Sequence, residues 1–363
     1  MNIKIVTFHF TRNYGATLQA YALNAYLKSF GHNVEVIDYV PNKISKEYSL
    51  LNLNGGIGGW LKSIIKLPFL VVRNFMFHSF FRKNVNLTKE RFYTLNDLKD
   101  SDLKADAFIV GSDQVWNSDI TGGIDPVYYL DFVISGLKIS YAASFGKSSV
   151  TESDLVCAAK YLEHFSSISV REESAINYLR NYINVRNISH VLDPVFLLEK
   201  EHYLALFNNV DNLQDYLFVY DVYENSKIFH VAKEIAEKKS LKITAIARAH
   251  TPRSDVDKLI YFCGPGTFLK LISNAKYVVT NSFHGTCLSI IMNKDFNVVP
   301  NDSLNERMID ILEKTKLKNR LVTDDQNIIS SQIDYDPVNL IVQSEKMKSR
   351  KFLQDAINGK VGK

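Results

Sequence analysis

The sequence predicts an α/β protein built from two doubly wound parallel sheets, one in each of two domains. Three observations lead there. Short apolar runs alternate along the chain with longer stretches of helical spacing, the pattern of successive βαβ units. The runs end in polar or glycine turns at 11–15, 111–117, 144–146 and 281–285, as loops do where parallel strands deliver them to one rim of a sheet. The 363 residues exceed what one hydrophobic core fills, which favours two domains.

Composition removes several functional classes. Hydrophobic residues at 46% and charged residues at 23% are ordinary for a globular protein. A formal net charge of +4, without a dense Lys/Arg run, gives no reason to expect nucleic acid as a partner. Cys157, Cys263 and Cys287 stand far apart with no CxxC pair. Neither a disulfide framework nor a zinc or iron–sulfur site is expected, and no metal. Met1 leads directly into a strand, so the expectation is no secretory signal and a cytoplasmic protein.

The first domain is expected over 1–150. Residues 3–8 form a strand, and 16–30 place Leu18, Tyr21, Ala22, Ala25 and Tyr26 at helical spacing before Gly31 closes the helix. A second strand at 34–39 completes a βαβ unit. Between strand and helix, Asn13-Tyr14-Gly15 makes a loop able to receive an anion or a sugar, or simply a glycine turn. The absence of GxGxxG argues against NAD or FAD. Residues 55–90 read as a helical insertion: bulky, apolar, interrupted by Lys62, Lys66, Arg73, Arg82 and Lys83, and divided by Pro68. No run reaches the ~18 apolar residues of a membrane span. Residues 57–83 suit either a peripheral contact with anionic lipid, at the inner face of a membrane, or helices packed on the first domain with a basic edge outward. The strand at 107–110 ends in Gly111-Ser112-Asp113-Gln114-Val115-Trp116-Asn117, which combines carboxylate, amide and indole as saccharide sites do. A strand at 138–143 ends at Ser144-Phe145-Gly146.

The pattern breaks at KSSVTES (147–153), so the second domain is expected over 151–340, with a final helix and tail over 341–363. A strand at 167–170 delivers Arg171 to a helix start, where it can hold a carboxylate or phosphate, or pair with Glu172 or Glu173. Strands follow at 217–220 and 242–246, with a helix at 226–239 between them. The most informative stretch is KYVVTNSFHGTCLSIIMNKDFNVVP (276–300), which reads as strand, turn, helix, strand. Its turn carries one imidazole, His284, at the carboxyl end of a strand and beside a helix N-terminus that favours anions. Such a histidine is either a proton shuttle or a hydrogen-bonded core residue.

NYGATLQAYAL, GSDQVWN, ISYAASFG, SVREESA, VLDPVFLL, GPGTFLKLISNAKYVVTNSFHGT and RMIDILEKTKL occur in this order over about residues 3–320. Together they resemble the polysaccharide pyruvyl transferase family. The resemblance implies a GT-B-like fold: two Rossmann-like domains facing across a cleft. It implies transfer of the enolpyruvyl group of phosphoenolpyruvate to two hydroxyls of a sugar in a surface polysaccharide or its lipid-linked precursor, giving a pyruvate ketal. Phosphoenolpyruvate is then a co-substrate, and no cofactor is required. His284 falls on the catalytic-type histidine, and Arg171, Ser282, Gly285 and Arg307 on the donor side. Asn13, Tyr14, Gly15, Asp113, Gln114 and Trp116 would meet the acceptor. Many members have Arg-Leu-His where this chain has Ser282-Phe283-His284, so Arg307 or Arg248 would have to supply the cation, or the donor differs. A GT-B glycosyltransferase using a nucleotide sugar and a non-catalytic saccharide-binding relative are the competing readings.

Overall fold

The structure is a computed structural model. It describes residues 1–42, 56–147, 149–183, 188–208, 215–248, 251–252, 254–300, 306–323 and 328–360, with 56–66 described by backbone alone. Gly55 of the expected insertion, Ser148 of the expected linker and the tail 361–363 lie outside them. So do the side chains of Lys62 and Lys66.

The chain divides into two compact units, Met1–Leu197 with Glu345–Lys363, and Leu198–Ser344. The first holds seven parallel strands in the order β3-β2-β1-β4-β5-β6-β7. They are β1 Asn2–Val6, β2 Asn33–Tyr39, β3 Leu87–Phe92, β4 Ala107–Val110, β5 Leu137–Ala143, β6 Ser167–Val170 and β7 Ile188–His190. The sequence reading placed the boundary at 150, and the sheet moves it to 197. β6 pairs with β5 through Ile139↔Ser167 and Ser140↔Ile168. The hydroxyls of Ser140 and Ser169 each donate to the other's backbone carbonyl, at 3.0 and 2.9 Å. The described residues of KSSVTES therefore lie inside the first unit, and the last two, Glu152 and Ser153, are already helical. That helix is α3, Glu152–Leu162, whose Asp154 N–H is capped by Thr151 Oγ1 at 3.2 Å.

Helix α1, Tyr14–Ser29, starts earlier than expected because Asn13 caps it, accepting from Gly15 N at 2.8 Å and Ala16 N at 3.3 Å. Helix α2, Gly56–Asn84, runs through Pro68 without dividing. A proline removes one N–H donor, and here the helix continues past it. Phe77 and Phe81, one turn apart, pack against Tyr14 and His9 at 5.0 and 5.5 Å between ring centroids. Val71, Val72 and Phe75 on the same helix are exposed. Among the described residues no helix is long and apolar enough to cross a membrane. Edge strand β3 was not foreseen because the consecutive charged, exposed residues Lys89, Glu90 and Arg91 hide the alternation.

The second unit holds a five-stranded parallel sheet in the order β10-β9-β8-β11-β12. Its strands are β8 Tyr216–Tyr220, β9 Lys242–Ile246, β10 Lys258–Ile260, β11 Tyr277–Thr280 and β12 Asp295–Val298. All residues of β8 and β11 are buried, as expected for strands covered on both faces. Helices α5 Lys227–Lys239, α6 Pro265–Asn274 and α7 Phe283–Ile291 connect strands of this sheet, and α8 Glu306–Lys314 follows β12. The last helix, α9 Tyr335–Ile357, begins earlier than the expected 341. Its residues from Glu345 belong to the first unit. There Ser349 Oγ accepts from Leu192 N at 2.9 Å, and the Arg350 Nε donates to Leu197 O at 3.1 Å.

Candidate functional site

Each sheet reverses its strand order once, between β1 and β4 in the first unit and between β8 and β11 in the second. Ligands of open α/β sheets bind outside the carboxyl ends of the strands at such reversals.

In the second unit Asp221 follows β8, and Asn281 and Ser282 follow β11. The Asn281 amide ties the two loops, donating to Asp221 Oδ1 at 2.6 Å and accepting from Val222 N at 2.7 Å. Ser282 caps α7 by accepting from Gly285 N at 3.2 Å. The helix thus starts at Phe283, and His284 sits in its first turn rather than on a preceding loop. His284 is 8% exposed, with its ring edge-on to Phe283 at 5.2 Å. The guanidinium of Arg307, on α8, lies over the same Phe283 ring, 5.8 Å from its centroid. Gly285 has a steric reason: a Cβ there would lie 2.6 Å from Thr280 Oγ1 and 3.0 Å from Tyr220 Cδ1. The structure therefore brings Ser282, His284, Gly285 and Arg307 together. An imidazole, a guanidinium and the N–H groups of a helix start form a set able to hold an anion and move a proton. Arg248 follows β9 and is half-buried, with its backbone N–H on Thr251 Oγ1 at 3.0 Å.

The first unit departs from several expectations. Trp116 is 2% exposed, stacked on Tyr129 at 5.5 Å with its indole N–H on Tyr128 O at 3.0 Å. It is a core residue, with no face left for a sugar. Tyr14 is fully buried and Gly15 is in the first turn of α1. Asn13 is exposed but spends its side-chain oxygen on the cap. Arg171 is 4% exposed and donates to Asp193 Oδ2 at 3.0 Å and Ser112 Oγ at 3.3 Å; Glu172 is 3.9 Å from its Nε. Burial alone would lower the pKa of Arg171, and the Asp193 and Glu172 carboxylates raise it instead. A guanidinium so engaged acts as a buried tie between strand ends. Glu172 Oε1 in turn accepts from Ser144 Oγ at 2.8 Å, Phe145 N at 2.9 Å and Gly146 N at 3.3 Å. Asp113 and Gln114 are half-buried at the β4 end of the reversal; Asp113 has a left-handed φ of 83°, is bridged to Ala143 and accepts from Gln114 N at 2.8 Å.

Two groups escaped the sequence reading. Asp221 carried a signal, an acid directly after a strand. His9, Asp38 and Arg91 carried none, since they come together only through the register of β1, β2 and β3. Among the described residues no three His, Cys, Asp or Glu side chains gather so as to hold a metal ion.

A family model described as polysaccharide pyruvyl transferase matches residues 13–303. A search of curated proteins finds no match. Among solved structures, a Listeria monocytogenes protein described as a UDP-N-acetylglucosamine 2-epimerase is similar, with a TM-score of 0.53 at 9% identity, covering 99% of this chain and 90% of that one. S. aureus MnaA, in a co-structure with UDP, has a TM-score of 0.51 at 11% identity, with coverage of 97% and 89%. These likenesses are of fold alone. The fold is GT-B-like, with two Rossmann-like domains.

Proposed function

We propose a reaction from one premise: the chain belongs to the polysaccharide pyruvyl transferase family. The reaction is transfer of the enolpyruvyl carbons of phosphoenolpyruvate to two hydroxyls of a saccharide, in a surface polysaccharide or its lipid-linked precursor. The observation that supports it best is the cluster at the β8/β11 reversal, where His284 and Arg307 flank Phe283 at the start of α7.

In this reading a proton reaches the methylene carbon of phosphoenolpyruvate from His284, and positive charge develops at the carbon bearing phosphate. One sugar hydroxyl adds there, the C–O bond to phosphate breaks, and the second hydroxyl closes the ketal. Of the two hydroxyl protons, one balances that placed on carbon and one leaves with phosphate. Arg307 and the α7 N–H groups would hold the donor's negative charge, taking the place of the cation that Ser282 lacks. The first unit would meet the acceptor through Asp113 and Gln114. Val71, Val72 and Phe75, exposed on the helix that carries Arg82 and Lys83, suit a peripheral lipid contact of that unit.

The test is His284→Gln, which retains a hydrogen-bond donor and cannot shuttle a proton at neutral pH. Phosphate release with a saccharide acceptor should fall by about 10²–10⁴-fold, while thermal stabilisation by phosphoenolpyruvate remains and weakens with salt. Turnover within a few-fold of the natural chain removes His284 from proton transfer. The second reading is a nucleotide-sugar enzyme, favoured by the fold shared with a UDP-bound protein. Stabilisation by UDP and none by phosphoenolpyruvate would select it. Binding of saccharide without turnover of either donor would select a non-catalytic role.

A further inference from the structure

The first unit contains a polar pocket of about 420 Å³ where the ends of β1, β2 and β3 meet the second half of α2. Its inner wall is preorganised. His9 Nε2 lies 3.1 Å from Asp38 Oδ1, and Arg91 Nε donates to Asp38 Oδ2 at 2.9 Å. The side chains of His9 and Asp38 are 3% and 11% exposed, so the three groups form a braced unit rather than a mobile surface pair. Among the described residues Asp38 is the only carboxylate in the lining, against the two guanidiniums of Arg82 and Arg91, so the described lining carries excess positive charge.

The observation that points to a ligand is Thr11. It lines the pocket, is 6% exposed, and its hydroxyl oxygen has no hydrogen-bond partner among the described residues. A buried hydroxyl left so is costly, and a hydroxyl or oxyanion of a bound molecule would satisfy it. Phe10, Phe77 and Phe81 supply an apolar wall suited to the C–H face of a sugar ring. The volume exceeds what a bare phosphate needs and leaves room for a ring beside it.

We propose that this pocket takes a phosphorylated saccharide, with phosphate on Arg82 and Arg91 and a ring hydroxyl on Thr11. Calling that molecule the acceptor end rests on the transferase reading; the binding itself does not. Arg82 is exposed at the rim and Arg91 is partly so, which leaves the phosphate next to solvent, where a further group can extend from it.

The experiment is calorimetric titration of the full chain with glucose 1-phosphate, glucose and inorganic phosphate as separate probes. Glucose 1-phosphate should bind most tightly. Arg82→Gln should weaken it about 10-fold or more, as loss of a charge-assisted contact does. Thr11→Val, isosteric and without the hydroxyl, should weaken glucose 1-phosphate and glucose alike and leave inorganic phosphate unchanged. Phosphoenolpyruvate binding should be the same in both variants. The proposal is overturned if either variant binds glucose 1-phosphate like the natural chain, or if inorganic phosphate binds as tightly as the sugar phosphate. Sugar-phosphate binding that depends on Arg82 and Thr11, in a chain that ignores phosphoenolpyruvate, would retain the pocket and discard the transferase reading. The reverse pattern would discard the pocket alone.

Discussion

Replacing Trp116 with alanine is expected to unfold the first unit rather than to weaken a ligand. The indole is 2% exposed, stacks on Tyr129 at 5.5 Å with an interplanar angle of 11°, and lies 5.4 Å from Phe145. Truncating a buried tryptophan costs about 3–5 kcal/mol, since the surroundings close only part of the cavity. The Tyr128 carbonyl also loses the indole N–H at 3.0 Å, and an unsatisfied buried group adds about 1–3 kcal/mol. Against a typical domain stability of about 5–15 kcal/mol, the sum of about 4–8 kcal/mol removes roughly a quarter at the least and can remove all of it. Trp116→Phe retains a ring and loses mainly the hydrogen bond, so it should fall between the two. Urea unfolding followed by near-UV circular dichroism measures this. A Trp60→Phe background leaves Trp116 as the only indole in the reference chain, so its fluorescence reports this site there. An alanine variant with an unchanged urea midpoint, together with a raised acceptor KM, would refute the packing argument and return Trp116 to the saccharide.

Two further predictions concern stability. Gly285→Ala forces a methyl to within 2.6 Å of Thr280 Oγ1, so it should destabilise the second unit by about 1–3 kcal/mol and move the start of α7; an unchanged melting temperature would show that β11 and α7 can shift apart. The Asp38 carboxyl is pushed up by burial, but hydrogen bonds and charge from His9 and Arg91 outweigh this and hold it below the usual carboxylate range. Because its folded pKa is the lower one, its contribution is present above the unfolded value of about 3.9 and is lost as pH falls through the folded pKa. The urea midpoint of the natural chain should therefore drop in that window more steeply than that of Asp38→Asn, and parallel acid limbs in the two proteins would contradict the assignment.

Much of the architecture follows from short-range rules that are visible in the residues themselves. The strand at Tyr277–Thr280, the cap at Ser282 and the helix after it are set by an apolar run and a hydroxyl three residues before the N–H it accepts. The start of α4 (Glu173–Arg180) after Arg171, and the polar ends of β4 and β5, were legible for the same reason. What the sequence could not determine was which side of each loop faces inward. Trp116 and Tyr14 have the chemistry of ligand contacts, and only the packing of Tyr129, Phe145 and Phe77 around them makes them core. Arg171 was expected to meet an anion or a neighbouring glutamate, yet its main partner is Asp193, brought beside it when β6 and β7 pair. The same pairing carried the unit boundary to 197. His9, Asp38 and Arg91 are far apart in the chain and meet only because β1, β2 and β3 align in parallel. Local period and capping depend on residues within one turn of each other, and so are written along the chain. Burial and choice of partner depend on the register between distant strands, and only the tertiary structure decides those.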